Sequence, residues 1–201
     1  MSSTAETPVV VVDSLMARSL ELEGLLCFHC PLLEDPRFGP GGAGECRVRY
    51  RDLAPVLGNP RAGIRAVVVN GQIPAYAVFG PPAAFRNAPD LPFELDDDAL
   101  LVAALHAIPE ARAENTDIDL LIEVVEFARA KGFSRVQALC RDTPGAGPEA
   151  RTEIVTAAGF EVTEPEAGLR LGTIEVADWF AGRGDAAGEQ RYEGPHRGNQ
   201  A

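Results

Sequence analysis

The length, composition and charge of this chain exclude several classes of protein. Its 201 residues are 46% hydrophobic and 24% charged, which is typical of a folded soluble domain and not of a disordered chain. Thirty acidic residues against 18 basic ones give a formal net charge of −12, which repels nucleic acids and anionic membranes. Because no apolar run reaches the roughly 18 residues of a membrane span and the N-terminus lacks a signal-peptide pattern, we predict a cytoplasmic protein.

The first sixty residues predict a strand, a helix and a long loop. Residues 8–13 are rich in valine and predict a strand, and the following SLMARSLELEGLLCF predicts a helix. Residues 31–46 contain three prolines and four glycines and predict an irregular surface loop. Residues 51–57 predict one or two helical turns that end before Pro60.

A β-hairpin is predicted next. Two β-rich runs, IRAVVV and QIPAYAVFG, flank Asn70-Gly71, a pair that favours a tight type I′ turn because both residues tolerate positive φ. Pro74 lies inside the second run and has no N–H to donate, so it predicts a bulge or an edge position.

The stretch 98–133 predicts the central strand and helix of the fold. Residues 99–108 are almost continuously apolar, as in a strand that is covered on both faces. Apolar residues then recur every three or four positions, which predicts a helix over 117–131 with one buried stripe, ended by Gly132.

The remaining chain predicts strand, helix, strand, strand and a tail. Residues 134–140 predict a strand, and Pro148 is suited to open a helix through Ala158, with Gly159 closing it. FEVTE and LRLGTIEV predict the last strands. Residues 181–201 are polar and glycine-rich and predict a flexible tail, which leaves a single domain over residues 8–180.

The chain resembles one superfamily in the order of these elements and in three short segments. The segments are IPEAR (108–112), FARAKGF (127–133) and Ala158-Gly159-Phe160. The chain is similar to GNAT (Gcn5-related N-acetyltransferase) proteins over residues 64–176. The resemblance implies an α/β (α+β) fold with a mixed, mostly antiparallel twisted sheet flanked by helices. It also implies that the sheet splays near its central strand and admits acetyl-CoA there.

In this superfamily the turn after the central strand is Arg/Gln-x-x-Gly-x-Gly/Ala, whose backbone N–H groups hold the pyrophosphate. With Arg112 as the first residue, Asn115 and Asp117 stand at the two glycine positions. Glu114 and Asp117 bring carboxylates that suit a helix N-terminus but repel a pyrophosphate. The residues implied to contact acetyl-CoA are Ala107, Ile108, Arg112, Ala113, Glu114, Asn115, Thr116 and Asp117.

Acetyl transfer to an amine also needs a base, and the candidates are His106, Glu94, Asp96 and Asp97. The alternatives stay open, because acidic residues at a strand start are typical of a solvated cluster and His106 is equally compatible with a core histidine. Many relatives place a proton-donating tyrosine four residues before the glycine of the second helix end. That position holds Val155, which has no proton to give.

Cysteines form the sharpest short motif, CFHC at 27–30. Cys27 and Cys30 have the spacing of half a zinc site, and Cys46 is a candidate third ligand. A histidine would have to be the fourth ligand, either His106 or His196, and we favour three structural or redox-sensitive thiols over a zinc site.

Two functions follow. One is acetyl-CoA-dependent N-acetylation of a small amine or a lysine-bearing substrate. The other is a non-catalytic GNAT-like module that has lost acetyl-CoA and binds a protein or a small ligand. Trp179 is expected to cap the sheet edge or to pack against a second copy in a homodimer.

Overall fold

The computed structural model describes residues 9–13, 15–17, 19, 30, 32–33, 50–70, 72–113, 115–142 and 149–187. These residues form one eight-stranded sheet in the order β1-β2-β3-β4-β5-β8-β7, with β6 paired separately to β5. The strands are β1 Val9–Val11, β2 Gly63–Val69, β3 Gln72–Gly80, β4 Ala99–Ala107, β5 Arg135–Arg141, β6 Ala150–Arg151, β7 Glu161–Val162 and β8 Arg170–Glu175.

Helices flank this sheet. They are α1 Tyr50–Leu57, α2 Pro109–Ala113, α3 Thr116–Ala130, α4 Thr152–Ala157 and α5 Val176–Ala187, with two 3-10 turns at Pro82–Ala84 and Ala88–Asp90. Residues 15–17 and 19 are helical, and the rest of the helix predicted after β1 lies outside the described residues. None of the helices that the structure describes has the length and apolarity needed to cross a bilayer.

The sheet is mixed and mostly antiparallel, which confirms the predicted fold class. The pairs β4–β5 and β5–β6 are parallel, and the other neighbours are antiparallel. A parallel pair needs a crossover connection, and α3 supplies it between β4 and β5.

The predicted hairpin is confirmed, and its proline lies at a bulge. Asn70 has φ 51, as the tight turn requires. Val67 pairs with Ala75 and Val69 with Gln72, so two residues of β3, one of them Pro74, face a single residue of β2. Because β3 lies between β2 and β4, the bulge is the correct alternative and the edge position is wrong.

The sheet separates two cores. The core under α3 contains Phe79, Leu100 and Val136 of the sheet and Leu121 of the helix, and the core on the opposite face contains Ile64, Val78 and Leu101 against α1. Every residue of β4 except His106 is buried, which confirms the strand predicted to be covered on both faces.

Glycines end two helices, as predicted. Gly132 has φ 73 and Gly159 has φ 96, a backbone conformation that glycine adopts without strain. After α3, the N–H of Phe133 donates to the carbonyl of Ala128, and after α4 the N–H of Phe160 donates to that of Val155. These bonds satisfy the last carbonyls of each helix.

One predicted helix boundary is wrong. The helix predicted from Pro148 begins at Thr152, because Ala150 and Arg151 instead extend along β5 as β6, and Pro148 lies outside the described residues. The boundary predicted at residue 180 falls inside α5, which continues to Ala187. Trp179 is 9% exposed, packs in the core of its own chain and donates its Nε1 proton to the carbonyl of Ala158 at 3.3 Å.

Candidate functional site

The central feature of the sheet is a parting of β4 from β5. The two strands pair from Ala99 with Arg135 to Val102 with Ala138 and no further, although both continue for several residues. At the same point β4 has a bulge, because Val78 pairs with Ala104 and Phe79 with Val102, which leaves Ala103 as an extra residue. A bulge bends a strand and increases its twist, so it directs β4 away from β5. We name the gap between residues 103–107 of β4 and 139–141 of β5 the β4–β5 opening.

The turn after β4 lies at the wide end of this opening. Asn115 precedes α3 with φ 60 and ψ 23, the left-handed conformation that a glycine of the sequence motif would adopt. Asparagine tolerates this conformation better than most residues. The carbonyl of Asn115 accepts the N–H groups of Ile118 and Asp119, so the turn forms without the glycines.

Asp117 occupies the N-terminus of α3. It is 4% exposed, and its Oδ1 accepts the N–H of Ile118 at 3.1 Å. Burial raises the pKa of Asp117, opposed by hydrogen bonds from backbone N–H groups and by the charges of Arg151 and Arg112. The carboxylate therefore adds a negative charge at the helix N-terminus, which disfavours the binding of an anion there.

The candidate bases lie at opposite ends of β4. His106 is half-buried at the open end, with its ring 5.4 Å from the ring of Tyr76 across the strand pair. Glu94 and Asp97 are exposed and precede β4, and Asp96 forms an ion pair with Arg135. At about 3.3 Å per residue, β4 puts roughly 25 Å between the two ends. Among these candidates only His106 adjoins the opening.

Asp96 has a structural role at the closed end. Its N–H donates to Gln137 Oε1 at 3.1 Å, and its Oδ1 accepts the N–H of Asp98 at 3.0 Å. These bonds and the Arg135 pair fix the start of β4 against β5. Such a carboxylate is engaged in holding the chain and does not face the opening.

The remaining predicted contacts surround the turn. Ala107 is 2% exposed, and Ile108 is 38% exposed with its N–H bonded to the carbonyl of Pro74 at 2.9 Å. Arg112 is half-buried and Thr116 is buried. Glu114 and the side chain of Ala113 lie outside the described residues.

Strand β6 lies in the opening. Ala150 pairs with Cys140 and Arg151 with Arg141, in parallel, and β6 also contacts β4. Since the other edge of β5 is paired with β8, β6 takes the edge of β5 that faces β4. The sequence did not reveal this, because the segment has the composition of a helix start.

Val155, which the sequence analysis singled out for having no proton to give, lies in α4. It is fully buried, and a Cβ added at Gly172 would overlap its Cγ1. Position 155 thus has an aliphatic side chain packed against a glycine.

The candidate zinc ligands lie mostly outside the residues that the structure describes. Cys27 and Cys46 are not described, and Cys30 is buried. Among the described residues no group of three or more His, Cys, Asp or Glu side chains is placed to hold a metal ion.

Two of the pockets that are lined by described residues flank the sheet. One, of about 230 Å³, lies beside the turn on the hairpin side, between Gln72, Pro74, Ile108 and Thr116. The other, of about 430 Å³, lies at the β1–β2 edge around Arg65 and Phe127. Neither pocket includes residues of β5 or β6, so the opening is distinct from both.

Comparison with known proteins identifies the fold. No protein-family model and no curated protein sequence matches the chain. An acetyltransferase of the GNAT family from Streptococcus pneumoniae is 13% identical with a TM-score of 0.54, over 84% of this chain and 98% of that one. YncA from Salmonella typhimurium, solved with its cofactor acetyl-CoA, is 14% identical with a TM-score of 0.51, over 84% and 93%.

A third structure shares the fold with a different activity. The GNAT-like decarboxylase GphF, in complex with isobutyryl-CoA, is 15% identical with a TM-score of 0.53, over 84% of this chain and 99% of that one. The chain therefore has the GNAT fold, as the sequence resemblance implied. Because a decarboxylase also has it, the fold does not fix the reaction.

Proposed function

We propose that this protein is an acyl-CoA-dependent N-acyltransferase that uses acetyl-CoA and an amine acceptor. The observation that carries the proposal is the parting of β4 and β5 at the Ala103 bulge. Among the described strands none pairs with the edge of β4 beyond Val102 on the β5 side. An extended, amide-bearing chain such as the pantetheine arm of CoA suits an unpaired strand edge of this kind.

The residues around the opening support this donor. Two alanines of β4 line it, Ala103 and Ala104, and their small side chains leave room close to the backbone. The left-handed turn at Asn115 and the N-terminus of α3 suit phosphate groups, and Arg112 adds a positive charge beside them. Asp117 opposes phosphate binding and is the feature that most weakens the fit.

Acetyl-CoA would supply an acyl group activated as a thioester. For this chain, we propose that His106 accepts the proton of the attacking amine, because it adjoins the open end of β4. As the C–N bond forms and the C–S bond breaks, the thiolate needs a proton. Val155 has none, so the imidazolium of His106 is the proposed source.

The acceptor class follows from charge. A net charge of −12 attracts cations over a long range. We propose a cationic amine as the acceptor, either a small polyamine-like molecule or a lysine-bearing peptide.

Binding and turnover test the proposal separately. Thermal unfolding is measured with acetyl-CoA and CoA up to millimolar concentration, with AMP as the control ligand. Acetyl-CoA at about 100 times its Kd should stabilise the fold by about 2.7 kcal/mol. Acetyl transfer to a panel of polyamines and lysine peptides should fall about 100-fold or more in His106→Gln, while acetyl-CoA affinity stays unchanged.

A second function is favoured by two specific observations. Strand β6 lies in the opening, and the Asp117 carboxylate accepts the N–H of Ile118 at the α3 N-terminus. Both suit a non-catalytic module that binds a protein or a small ligand without CoA. Absence of any acetyl-CoA stabilisation in the wild type and in a variant with a loosened β6 would contradict the enzyme and support this alternative.

A further inference from the structure

We infer that residues 149–151, which include β6, are an internal occupant of the β4–β5 opening that acyl-CoA must displace in order to bind. The inference rests on the proposed function, because it concerns how the same opening receives the donor. It predicts that a change in the chain's own backbone accompanies binding.

The position of β6 is the first step. It pairs with β5 through Cys140 and Arg141, on the edge that faces β4, and begins where the β4–β5 pairing has already ended. Ala150 is 2% exposed and belongs to the core under α3. A pantetheine arm between the strands would need the volume that Ala150 and its backbone fill.

Arg141 holds this segment, and Arg170 holds the chain at the end of β5. Arg141 Nη2 contacts Glu149 Oε1 at 3.3 Å, and Arg141 Nη1 donates to the carbonyl of Gly168 at 3.2 Å. Arg170 Nε donates to both carboxylate oxygens of Asp142, at 2.8 and 2.9 Å. Immediately before β6, the chain is thus attached to β5 through Glu149. Immediately after β5, it is attached to β8 through Asp142.

Some buried polar atoms of residues 149–151 lack hydrogen-bond partners. The Glu149 side chain is only 9% exposed, yet its Oε2 is buried and has no hydrogen-bond partner, and the same holds for Arg151 Nε. A buried polar atom of a charged group that lacks a partner destabilises the state that buries it. Release of β6 would return both atoms to water, which opposes the stabilisation from the Arg141–Glu149 ion pair, the two-residue pairing and the burial of Ala150.

This arrangement lowers the affinity for the donor. If acyl-CoA binds only when β6 has left, the apparent Kd is the intrinsic Kd divided by the fraction of molecules in which β6 is released. Changes that release β6 should therefore tighten binding, even when they remove a positive charge.

Hydrogen exchange of the wild-type protein is the direct test. Peptides that contain Ala150 and Arg151 should exchange faster with saturating acetyl-CoA than without it, whereas peptides from residues 103–107 should exchange more slowly. If β6 keeps or gains protection while acetyl-CoA is bound, the inference is wrong and the proposed function stands.

Arg141→Gln provides the second test. It leaves the Glu149 carboxylate buried without its partner, so it should release β6, speed exchange there in the free protein and tighten acetyl-CoA binding about tenfold. Arg135→Gln is the matched control, since it breaks the ion pairs of an arginine at the other end of β5 and should leave the affinity unchanged.

The outcomes separate the two proposals. If wild type and Arg141→Gln bind acetyl-CoA with equal affinity, and hydrogen exchange of β6 does not change on binding, then β6 is not an internal occupant and the proposed function stands. Absence of binding in the wild type and in Arg141→Gln, with β6 exchanging rapidly in the variant, overturns the acyltransferase.

Discussion

Asp117 illustrates how one residue affects both stability and binding. Its pKa is raised mainly by burial, so the native state favours the protonated carboxyl more than the unfolded chain does. The resulting penalty is absent below the unfolded pKa, near 3.8, and becomes complete as the pH rises through the raised native pKa. At neutral pH the charged form therefore lowers the free energy of unfolding.

Asp117→Asn should remove this penalty and keep the bond to Ile118, because the amide oxygen still accepts. The variant should be more stable than the wild type at pH 7 and equal to it below pH 3.8, as measured by urea unfolding at each pH. Acetyl-CoA should bind about fivefold more tightly or better, since two like charges about 4 Å apart repel by about 1 kcal/mol even in water.

Asp119→Asn is the matched control for this prediction. Asp119 lies in the same first turn of α3 but is exposed, so its loss removes a favourable charge at the helix N-terminus without relieving burial. It should lower stability slightly at pH 7. If Asp119→Asn raised the free energy of unfolding at pH 7 as much as Asp117→Asn does, the proposed role of burial would be contradicted.

At the scale of elements, the packing of α4 on β8 depends on a glycine. Gly172 lies so close to Val155 that a Cβ added at Gly172 would overlap the Cγ1 of the valine. Real Cβ atoms do not approach another heavy atom to so short a distance. This contact limits how far Gly172 can be enlarged while helix and strand keep their distance.

Gly172→Ala should lower the free energy of unfolding by about 1–3 kcal/mol through overpacking. Urea denaturation measures the change, and Val155→Ala in the same chain should restore part of it by making room. Gly182→Ala is the control, because Gly182 is exposed in α5 with no atom near the added Cβ and should be neutral or stabilising. If the urea midpoint of Gly172→Ala equalled that of the wild type, α4 would be free to move away from β8 without loss of stability.

For the whole molecule, the charge balance sets a prediction about the acceptor. With a net charge of −12, association of a polyamine is accelerated by long-range attraction, which salt screens over about 10 Å at 0.1 M. The kcat/KM for a polyamine should fall about tenfold between 20 mM and 500 mM salt. That for a neutral hydroxylamine-type acceptor should stay nearly constant, and equal salt dependence of the two would refute a cationic acceptor.

Much of the fold was predictable because its signals are local. The Asn70-Gly71 turn, the apolar run of β4 and the Gly132 helix end each depend on residues that are neighbours in the chain. Phe133 and Phe160 complete the two helix ends in the same way. Such patterns act through backbone preference and burial, so the order of elements and the GNAT fold followed from them.

The candidate site was predictable only in part. The sequence marked His106, Glu94 and Asp96 as equivalent candidate bases, and nothing in their spacing distinguished them. The structure puts His106 beside the opening and the two carboxylates near the far end of β4. The bulge at Ala103 has no local signature either, since it depends on how β3 pairs.

By itself, the sequence determined the strands, the long helix α3 and the turn in which Asn115 and Asp117 replace glycines, because side-chain periodicity and backbone preference act locally. Only the tertiary structure decided that residues 150–151 join β5 and do not begin a helix. Their composition permits both, and the choice depends on an edge of β5 that is unpaired because β4 bends away at Ala103. What fills the β4–β5 opening was therefore a property of the assembled sheet.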